Sequence, residues 1–343
     1  MTTTKKPLTT TRRAVLAGTA AVFAAAPLMR TTRASAATQT LTPETIGRLF
    51  ADLPGDLAGK IVAPAAAGRP GLAAEFNASA RLFVGSAIKT FVLCEALRQA
   101  DSPAVVETIA SRQLALDESV WSPDAPSFNP PYLTGKVSER TTLEVMITHS
   151  DNTATDMALK LAGPDNVRRF IASIGLTGTM IPDSTRILFG YLLGAANYKT
   201  FTWQDLVAAA EANDPIVNSP LNSVQTMASS ADDLVAYYSK SLQGAFFADP
   251  ATLTQFREIL AMGGAIWLVP LPLGVSAFAK GGSIDVPGFH AVCVAGGMFF
   301  NNCWVYFCLI INWYAPAETD TDTVSAFLAA ASSALTLVKD ALS

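Results

Sequence analysis

Two segments near the C-terminus are apolar at both odd and even positions. Residues 290–300 and 303–313 are separated by Asn301 and Asn302, a pair typical of a two-residue hairpin turn. Residues 276–284 have the composition of a further strand just before them. Because strands that are apolar on both sides lie between two packed layers, this pattern predicts an antiparallel sheet covered on both faces. Residues 322–342 predict a terminal helix that covers one of those faces.

The pattern before residue 100 predicts a helix, two strands and a second helix. Thr42-Pro43-Glu44 combines a capping residue, a first-turn proline and an early acid, which is typical of a helix start. Residues 59–66 and 73–83 read as strands separated by Gly68-Arg69-Pro70-Gly71. Residues 86–99 are apolar nearly all round, so we expect this helix to be buried at the centre of the protein.

Between residues 102 and 219 the periodicity is helical and is broken by loops. The longest break, residues 121–136, carries five prolines or glycines together with three aromatic residues. Residues 181–203 are apolar but follow neither the helical nor the strand period. Helices are predicted here and further along the chain over residues 141–148, 152–161, 165–174, 231–241 and 250–262.

The order of these elements predicts an α+β fold, an α/β sandwich. It consists of an antiparallel sheet of about five strands, covered by helices on both faces, with an inserted all-helical domain. We assign residues 37–90 and 225–343 to the sheet domain and residues 91–224 to the helical domain. Ser86 lies at the junction of the two parts, where clefts that bind ligands usually form.

Composition limits the possible partners of this chain. It has 343 residues, a net charge of -4 and 50% hydrophobic residues, enough for a large core. The basic residues are dispersed, which argues against a nucleic acid partner.

Residues 1–36 have the character of an export signal that is removed from the mature protein. Arg12 and Arg13 precede an apolar run over residues 14–26, and Ala34-Ser35-Ala36 offers a small-residue cleavage site. The sequence Thr11-Arg12-Arg13-Ala14-Val15-Leu16 resembles a twin-arginine signal, so we expect a periplasmic or extracellular protein. The apolar run is short for a bilayer span, and a retained N-terminal anchor is the alternative interpretation. We expect no membrane span after signal removal.

The cysteines and histidines do not suggest a metal or disulfide site. In the predicted hairpin Cys293 lies opposite Ile310 and Cys303 lies opposite Phe300, so no two cysteines are directly paired. Export permits oxidation, but buried free thiols are the expectation. The chain has two histidines, His149 and His290, and no metal-ligand spacing, so we expect no metal and no cofactor. The four cysteines are Cys94, Cys293, Cys303 and Cys308.

The first candidate for chemistry is the pair Ser86 and Lys89. Ser86 follows Gly85 at a strand-to-helix junction, and Lys89 is three residues later, on the same helix face. A serine with a lysine one turn away is the minimum arrangement for an activated hydroxyl nucleophile. The alternative is a helix-capping serine beside a solvated lysine.

Two further polar clusters interrupt apolar surroundings. Ser150-Asp151-Asn152 lies between two predicted helices, and Lys280-Gly281-Gly282-Ser283 interrupts a predicted strand. Taken alone, the first is explained as a loop cap and the second as an edge lysine whose amine reaches solvent.

In order, the Ser-x-x-Lys, Ser-Asp-Asn and Lys-Gly-Gly elements resemble the signature of the penicillin-recognising serine enzymes. The similarity is closest to class A β-lactamases, and residues 141–154 resemble their second element well beyond the triplet. This resemblance implies a β-lactamase/transpeptidase-like fold across essentially the whole mature chain.

The resemblance also implies a role for each residue. Ser86 becomes acylated, and Lys89 is its base if burial and the positive charge of Lys280 lower the pKa of its amine. Ser150 relays the proton to the leaving nitrogen. Asn152 binds the amide side chain of the substrate. Lys280 attracts the substrate carboxylate.

The third element supplies the remaining predicted contacts. The N–H groups of Ser86 and Ser283 form the oxyanion hole. The substrate site is lined by Gly281, Gly282 and Ser283. Members of the family usually carry Thr or Ser where this chain has Gly281, and Ser283 is the candidate substitute. His290 lies near the position of a carboxylate-binding arginine. A structural role is the alternative for His290, and His149 is expected to be a packing residue.

The most consequential departure from the family concerns deacylation. Class A enzymes use a glutamate on an omega-shaped loop, in a Glu-x-x-Leu-Asn pattern, whereas residues 181–190 contain none. No glutamate occurs between Glu144 and Glu211, and Asp183 is the one carboxylate of that loop. Asp183 is alternatively a turn or capping residue. Acylation chemistry is therefore expected, without the usual deacylation base.

Three functions are consistent with these residues. The favoured one is an exported, monomeric serine hydrolase that opens β-lactam or related cyclic amide or ester bonds in a small-molecule substrate. A D-alanyl-D-alanine peptidase or esterase is the second. A penicillin-binding sensor that acylates but scarcely turns over is the third.

Overall fold

A computed structural model describes residues 42–65, 70–263 and 271–343 of the chain. The predicted signal peptide, residues 1–36, lies outside the described residues. The strands are β1 (Asp56–Ala63), β2 (Leu72–Phe76), β3 (Leu82–Phe83), β4 (Gln113–Leu116), β5 (Gly135–Ser138), β6 (Ala228–Ser229), β7 (Ser276–Val286), β8 (Phe289–Phe300) and β9 (Cys303–Trp313). The helices are α1 (Pro43–Arg48), α2 (Lys89–Gln99), α3 (Val105–Ser111), α4 (Glu139–Thr148), α5 (Asn152–Ala162), α6 (Pro164–Ser173), α7 (Thr185–Leu192), α8 (Trp203–Ala212), α9 (Ala231–Ser241), α10 (Pro250–Ala261) and α11 (Thr321–Leu342).

The predicted antiparallel sheet is confirmed. Five strands pair in the order β2-β1-β9-β8-β7, and every pair is antiparallel. Cys293 lies opposite Ile310, and Phe300 lies opposite Cys303. Asn301 and Asn302 have φ of 46° and 55°, as the tight turn of this hairpin requires. The predicted register is therefore correct, and the four cysteines are buried.

Helices cover both faces of this sheet. On one face Ile46 of α1 packs with Phe327 and Leu335 of α11 against alternate residues of β9 such as Phe307. On the other face α2, α9 and their neighbours pack against the intervening residues of β9, including Ile310. The prediction of a doubly covered sheet is confirmed, and α2 is buried as expected.

The terminal helix α11 is long and apolar enough, by length and composition, to cross a membrane. Such a helix is also common in the core of a soluble fold. Seven of its residues are buried, and Phe327, Ala331 and Leu335 are fully buried on the sheet. Packing therefore accounts for the apolar residues of the face that lies on the sheet.

The strand predicted over residues 73–83 is divided in two. Asn77 adopts φ of 46° directly after β2, and its side-chain Nδ2 donates to the carbonyl of Leu57 at 2.9 Å. This left-handed residue turns the chain out of the sheet. The following strand, β3, pairs with β6 instead of joining the large sheet. The prediction of one continuous strand was wrong.

The middle of the chain contains elements that periodicity did not predict. Strands β4 and β5 form a two-stranded sheet within the predicted helical region, and each has only four residues. Helix α7 lies within residues 181–203, where no period was evident. Its start is fixed by Ser184, whose Oγ accepts from the N–H of Ile187 at 3.0 Å.

Candidate active site

Ser86 is held on a 3₁₀ turn, Gly85–Ile88, between β3 and α2. The strand before it is fastened to β9 by Asn312, whose Oδ1 accepts from the Phe83 N–H at 2.8 Å and whose Nδ2 donates to the Phe83 carbonyl at 2.9 Å. Ser86 does not cap the turn, and its hydroxyl forms no hydrogen bond to any described residue. The alternative of a capping serine is therefore wrong, and the position of Ser86 is set by its backbone.

Two glycines bring β7 against this turn. Gly85 has φ of 52°, and a Cβ on it would lie 2.8 Å from the backbone nitrogen of Ser283. A Cβ on Gly282 would lie 2.4 Å from the nitrogen of Ser86. Both positions therefore require glycine. The backbones of Ser86 and Ser283 are close neighbours as a result.

The amine of Lys89 is buried and directed into the protein. Its Nζ donates to the carbonyl of Ser150 at 2.5 Å and to Oδ1 of Asn152 at 2.8 Å, and it lies 3.2 Å from Oγ of Ser150. The side chain is fully buried. The alternative of a solvated lysine is therefore wrong, and the first two motifs meet at this amine.

Lys280 reaches the same serine from β7. Its Nζ lies 3.1 Å from Oγ of Ser150 and donates to the carbonyl of Gly281 at 2.7 Å. Lys280 is buried, which excludes an edge lysine that reaches solvent. The hydroxyl of Ser150 therefore lies between two lysine amines, and all three motifs converge there.

Burial changes the proton affinity of both amines. Desolvation lowers the pKa of Lys89 to about 8, against the opposing effect of the carboxylates of Asp124, Asp151 and Asp156. Desolvation, and then the charge of Lys89, hold the pKa of Lys280 well below its ordinary value. The lowering of the Lys89 pKa expected from burial is therefore present, whereas the charge effect between the two amines is seen on Lys280 and not on Lys89.

The Ser150–Asn152 turn is held in place by hydrogen bonds to Asp151. Ser150 has φ of 56°, and Asp151 begins α5 by accepting from the N–H of Ala154 at 2.8 Å. The other carboxylate oxygen of Asp151 accepts from the N–H groups of Ser127 and Phe128 at 3.0 and 2.9 Å. Asp151 therefore ties the long loop over residues 121–136 to the site.

His290 does not face the substrate side of this site. It is fully buried, its Nδ1 pairs with Asp285, and its Nε2 lies 3.1 Å from the carbonyl of Ala315. Its ring also stacks on Trp313. The predicted substrate contact of His290 is wrong, because both nitrogens are engaged inside the protein. The packing role expected for His149 is also wrong, since this residue is exposed at the end of α4.

Asp183 stabilises the loop that contains it. Its carboxylate pairs with Arg168 at 2.5 Å and accepts from Nε2 of Gln225 at 2.7 Å. Its backbone N–H donates to Oε1 of Gln225 at 3.0 Å. These contacts favour the structural alternative for Asp183.

The next part of the loop is buried beside the site. Thr185 is fully buried, and its Oγ1 donates to Asp156 at 2.6 Å and lies 3.2 Å from the carbonyl of Asn152. Asp156 also accepts from the backbone N–H of Thr185 at 2.7 Å. Burial raises the pKa of Asp156 despite these hydrogen bonds. The sequence analysis missed this pair, because nothing in the motif pattern connects the two residues.

Asp124 is a further charged residue that the sequence analysis missed. It interacts electrostatically with both Lys89 and Lys280. Its carbonyl accepts from the N–H of Asn152 at 3.2 Å. The signal available in the sequence was a carboxylate in the long loop, adjacent to Pro123 and close to Trp121.

Comparisons with known proteins concern the family and the fold of the chain. A profile described as the beta-lactamase enzyme family matches residues 68–261. No match was found among curated protein sequences.

Solved structures of similar fold cover most of the chain. The TLA-3 extended-spectrum beta-lactamase is 14% identical, with a TM-score of 0.65 over 88% of this chain and 98% of that one. A point mutant of PBP-A, solved as an acyl-enzyme complex with penicillin G, is 17% identical, with a TM-score of 0.62 over 88% and 95%. A class A beta-lactamase from Mycobacterium abscessus is 15% identical, with a TM-score of 0.62 over 88% and 99%. At these identities the likeness concerns the fold.

Proposed function

The chain belongs to the beta-lactamase enzyme family, and from this premise we propose that it opens β-lactam rings through an acyl-enzyme on Ser86. It is a serine hydrolase related to the class A enzymes. Related cyclic amide or ester bonds fall within the same chemistry, because each is cleaved by acyl transfer to a serine.

The observation that carries the proposal is the position of the Ser150 hydroxyl between two buried amines. Lys89 and Lys280 both lie within 3.2 Å of Oγ of Ser150. Burying two lysines together is costly, and such clusters of perturbed groups are concentrated at functional sites. A role confined to stability does not account for two amines directed at one hydroxyl.

The acylation step follows from these positions. The neutral amine of Lys89 takes the proton of Ser86 as its oxygen attacks the carbonyl carbon, and the adjacent backbone N–H groups of Ser86 and Ser283 stabilise the oxyanion. Ser150 passes a proton to the leaving nitrogen. Lys280 binds the substrate carboxylate, and Asn152 the amide side chain. Gly282 allows β7 to approach the turn that carries Ser86, and the carbonyl of Gly281 accepts from the amine of Lys280.

A penicillin-binding sensor, or a peptidase with a long-lived acyl-enzyme, is the second candidate. It is favoured by the omega-loop region, which has no glutamate and whose Asp183 is already paired with Arg168 and Gln225. Such a protein acylates in the same way but releases the acyl group slowly.

A time course with a fluorescent penicillin tests these functions. Purified protein is mixed with the label, and the intact mass and the labelled peptide are followed from seconds to hours, with Ser86→Ala as control. Label that appears at Ser86 and is lost within seconds supports a β-lactamase. Label that persists for hours supports the sensor or peptidase. Absence of label at Ser86 contradicts all of them.

We also propose that the protein acts outside the cytoplasm, as a monomer, after export by the twin-arginine route. The support is the sequence Arg12-Arg13 before an apolar run over residues 14–26. An extracytoplasmic location suits an enzyme whose substrates reach the cell from outside.

A further inference from the structure

Three carboxylates act electrostatically on the amine of Lys89, and they differ in what surrounds them. Asp124, Asp151 and Asp156 each oppose the effect of burial on that amine. Asp151 is fully buried and accepts from the N–H groups of Ser127, Phe128 and Ala154. Its lone pairs are therefore committed to the backbone.

The carboxylate oxygens of Asp156 are also occupied by hydrogen bonds within the protein. It is 5% exposed and accepts from the N–H and the hydroxyl of Thr185 and from the N–H of Arg186. Burial raises the pKa of Asp156, but its oxygens are occupied by three hydrogen bonds and its side chain is closed to solvent, so it is not placed to take a proton from a water molecule.

Asp124 differs from both in hydrogen bonding and exposure. Its carboxylate makes no hydrogen bond within residues 42–65, 70–263 and 271–343, and the residue is only partly buried. The charged groups that face it are Lys89, Asp151 and Lys280. Asp124 is therefore a partly exposed residue whose carboxylate has no hydrogen-bond partner among the described residues and interacts with the catalytic amines.

The backbone holds Asp124 in this place. The residue adopts φ of 57°, and its carbonyl accepts from the N–H of Asn152 at 3.2 Å. A few residues later, the N–H groups of Ser127 and Phe128 donate to Asp151. The loop is thus fastened to the Ser150–Asn152 turn at two points around Asp124. Of the left-handed non-glycine residues in the described part of the chain, Asp124 and Ser150 are the two that border the site.

We propose that Asp124 is the proton acceptor for hydrolysis of the acyl-enzyme. This inference rests on the proposed function. It places the base for deacylation on the long loop over residues 121–136, because the omega-loop region has no glutamate. Asp183 is excluded as the base for deacylation, because its carboxylate is paired with Arg168 and Gln225.

The step is balanced in atoms and protons. The oxygen of a water molecule forms a bond to the acyl carbonyl carbon, and one water proton passes to the carboxylate of Asp124. The tetrahedral oxyanion then collapses, and the bond from carbon to Oγ of Ser86 breaks. The proton on Asp124 returns to Oγ through Lys89. The products are a free carboxylic acid and the original serine.

The proton affinity of Asp124 suits this task. Desolvation raises the pKa of Asp124 to about 6, with a further upward contribution from Asp151 and opposing contributions from Lys89 and Lys280. The carboxylate is therefore largely ionised at neutral pH. Once protonated, Asp124 is a stronger acid than the ammonium form of Lys89, whose pKa is about 8. A general base works best with a pKa near the operating pH.

Single-turnover release of a fluorescent penicillin tests the proposal. The parent, Asp124→Asn and Asp124→Glu are labelled with excess probe, unbound probe is removed, and loss of label from Ser86 is followed by mass from pH 5 to pH 9. We expect Asp124→Asn to label but to release the acyl group about 10²–10⁴-fold more slowly, the usual contribution of a general base. Asp124→Glu should retain part of the rate.

The pH dependence distinguishes a base from a structural residue. In the parent, release should increase with pH through about 6, because the ionised form of Asp124 is the active one. This dependence should disappear in Asp124→Asn. The control is Asp117→Asn, an exposed aspartate just before the same loop whose carboxylate hydrogen-bonds only to Ser119 among the described residues. It should behave as the parent.

The possible failures are separable. If Ser86 of the parent takes no label, the proposed function is contradicted. If the parent is labelled and Asp124→Asn releases the acyl group at the parental rate, only the role of Asp124 is contradicted. A parent that keeps its label indefinitely also contradicts that role. Labelling of Asp124→Asn itself reports that its site is folded.

Discussion

Lys89 is the residue on which acylation depends, because its buried amine has a pKa lowered to about 8. A base must be neutral to accept the serine proton, so the rate of labelling at Ser86 should rise with pH and level off above about 8. Lys89→Ala should abolish labelling. Stopped-flow mixing with a fluorescent penicillin from pH 6 to pH 10 measures the profile.

The matched control for this experiment is Lys160→Ala. Lys160 is an exposed lysine of α5 whose amine bonds to Oγ of Ser119 at 2.8 Å. It should leave the profile unchanged. Rapid labelling of Lys89→Ala, or a parental rate that is flat between pH 6 and pH 10, would show that Lys89 is not the base.

At the scale of residues, the sequence was informative where chemistry is carried by short motifs. Ser86, Lys89 and Lys280 could be selected because their spacing places them on adjoining elements. Asp124 and Asn312 could not, since each acts on a residue far away in the chain through contacts that only the folded backbone creates. His290 illustrates the opposite error, because its position in the strand was correct but its ring is directed at Asp285 and Ala315.

At the scale of elements, strong patterns were predicted well and short ones were not. Helix α9 and strand β9 have the predicted bounds, because the helical period of α9 and the continuous apolar run of β9 each extend over 11 residues. Strands β4 and β5 have four residues each, too few to establish a period. Helix α7 buries Thr185, Leu188, Phe189 and Leu192 on one face, but it has only eight residues within a longer apolar stretch, so its period did not stand out in the sequence.

Helix α7 begins within residues 181–190, the region that was compared with the omega loop, and its first residue gives a stability prediction. Thr185→Glu should be strongly destabilising, because the new carboxylate would be buried beside that of Asp156. An unpaired buried charge typically costs about 3–5 kcal/mol. Thermal unfolding at pH 7, followed by circular dichroism, measures the loss.

The double variant Thr185→Glu with Asp156→Asn is the matched comparison. An amide at residue 156 still accepts from the backbone N–H of residue 185 but removes the like charge. The double variant should therefore be more stable than Thr185→Glu alone. If the two unfold at the same temperature, repulsion by Asp156 is not the cause of the cost.

At the scale of the whole molecule, the proposed division into a sheet domain and a helical domain is not visible as two separate cores. Leu93 and Met146 from the predicted helical domain share one apolar cluster with Cys308 and Ile310 from the sheet. The site lies where these layers meet, since Ser86 precedes α2 and Lys280 belongs to β7. Sequence patterns identify layers, but they do not indicate whether the layers share a core.

The export route is the prediction that concerns the whole chain. Arg12→Lys combined with Arg13→Lys should leave the precursor in the cytoplasm, because the twin-arginine pathway reads this pair. Expression in a bacterial host, followed by fractionation and immunoblotting, measures the distribution and the loss of the signal. Arg30→Lys is the control, since this arginine lies after the apolar run and outside the pair. Processing and export that continue unchanged in the double variant would instead indicate the general secretory route. A chain on that route crosses the membrane unfolded, so its four cysteines would be exposed to an oxidising compartment before they are buried.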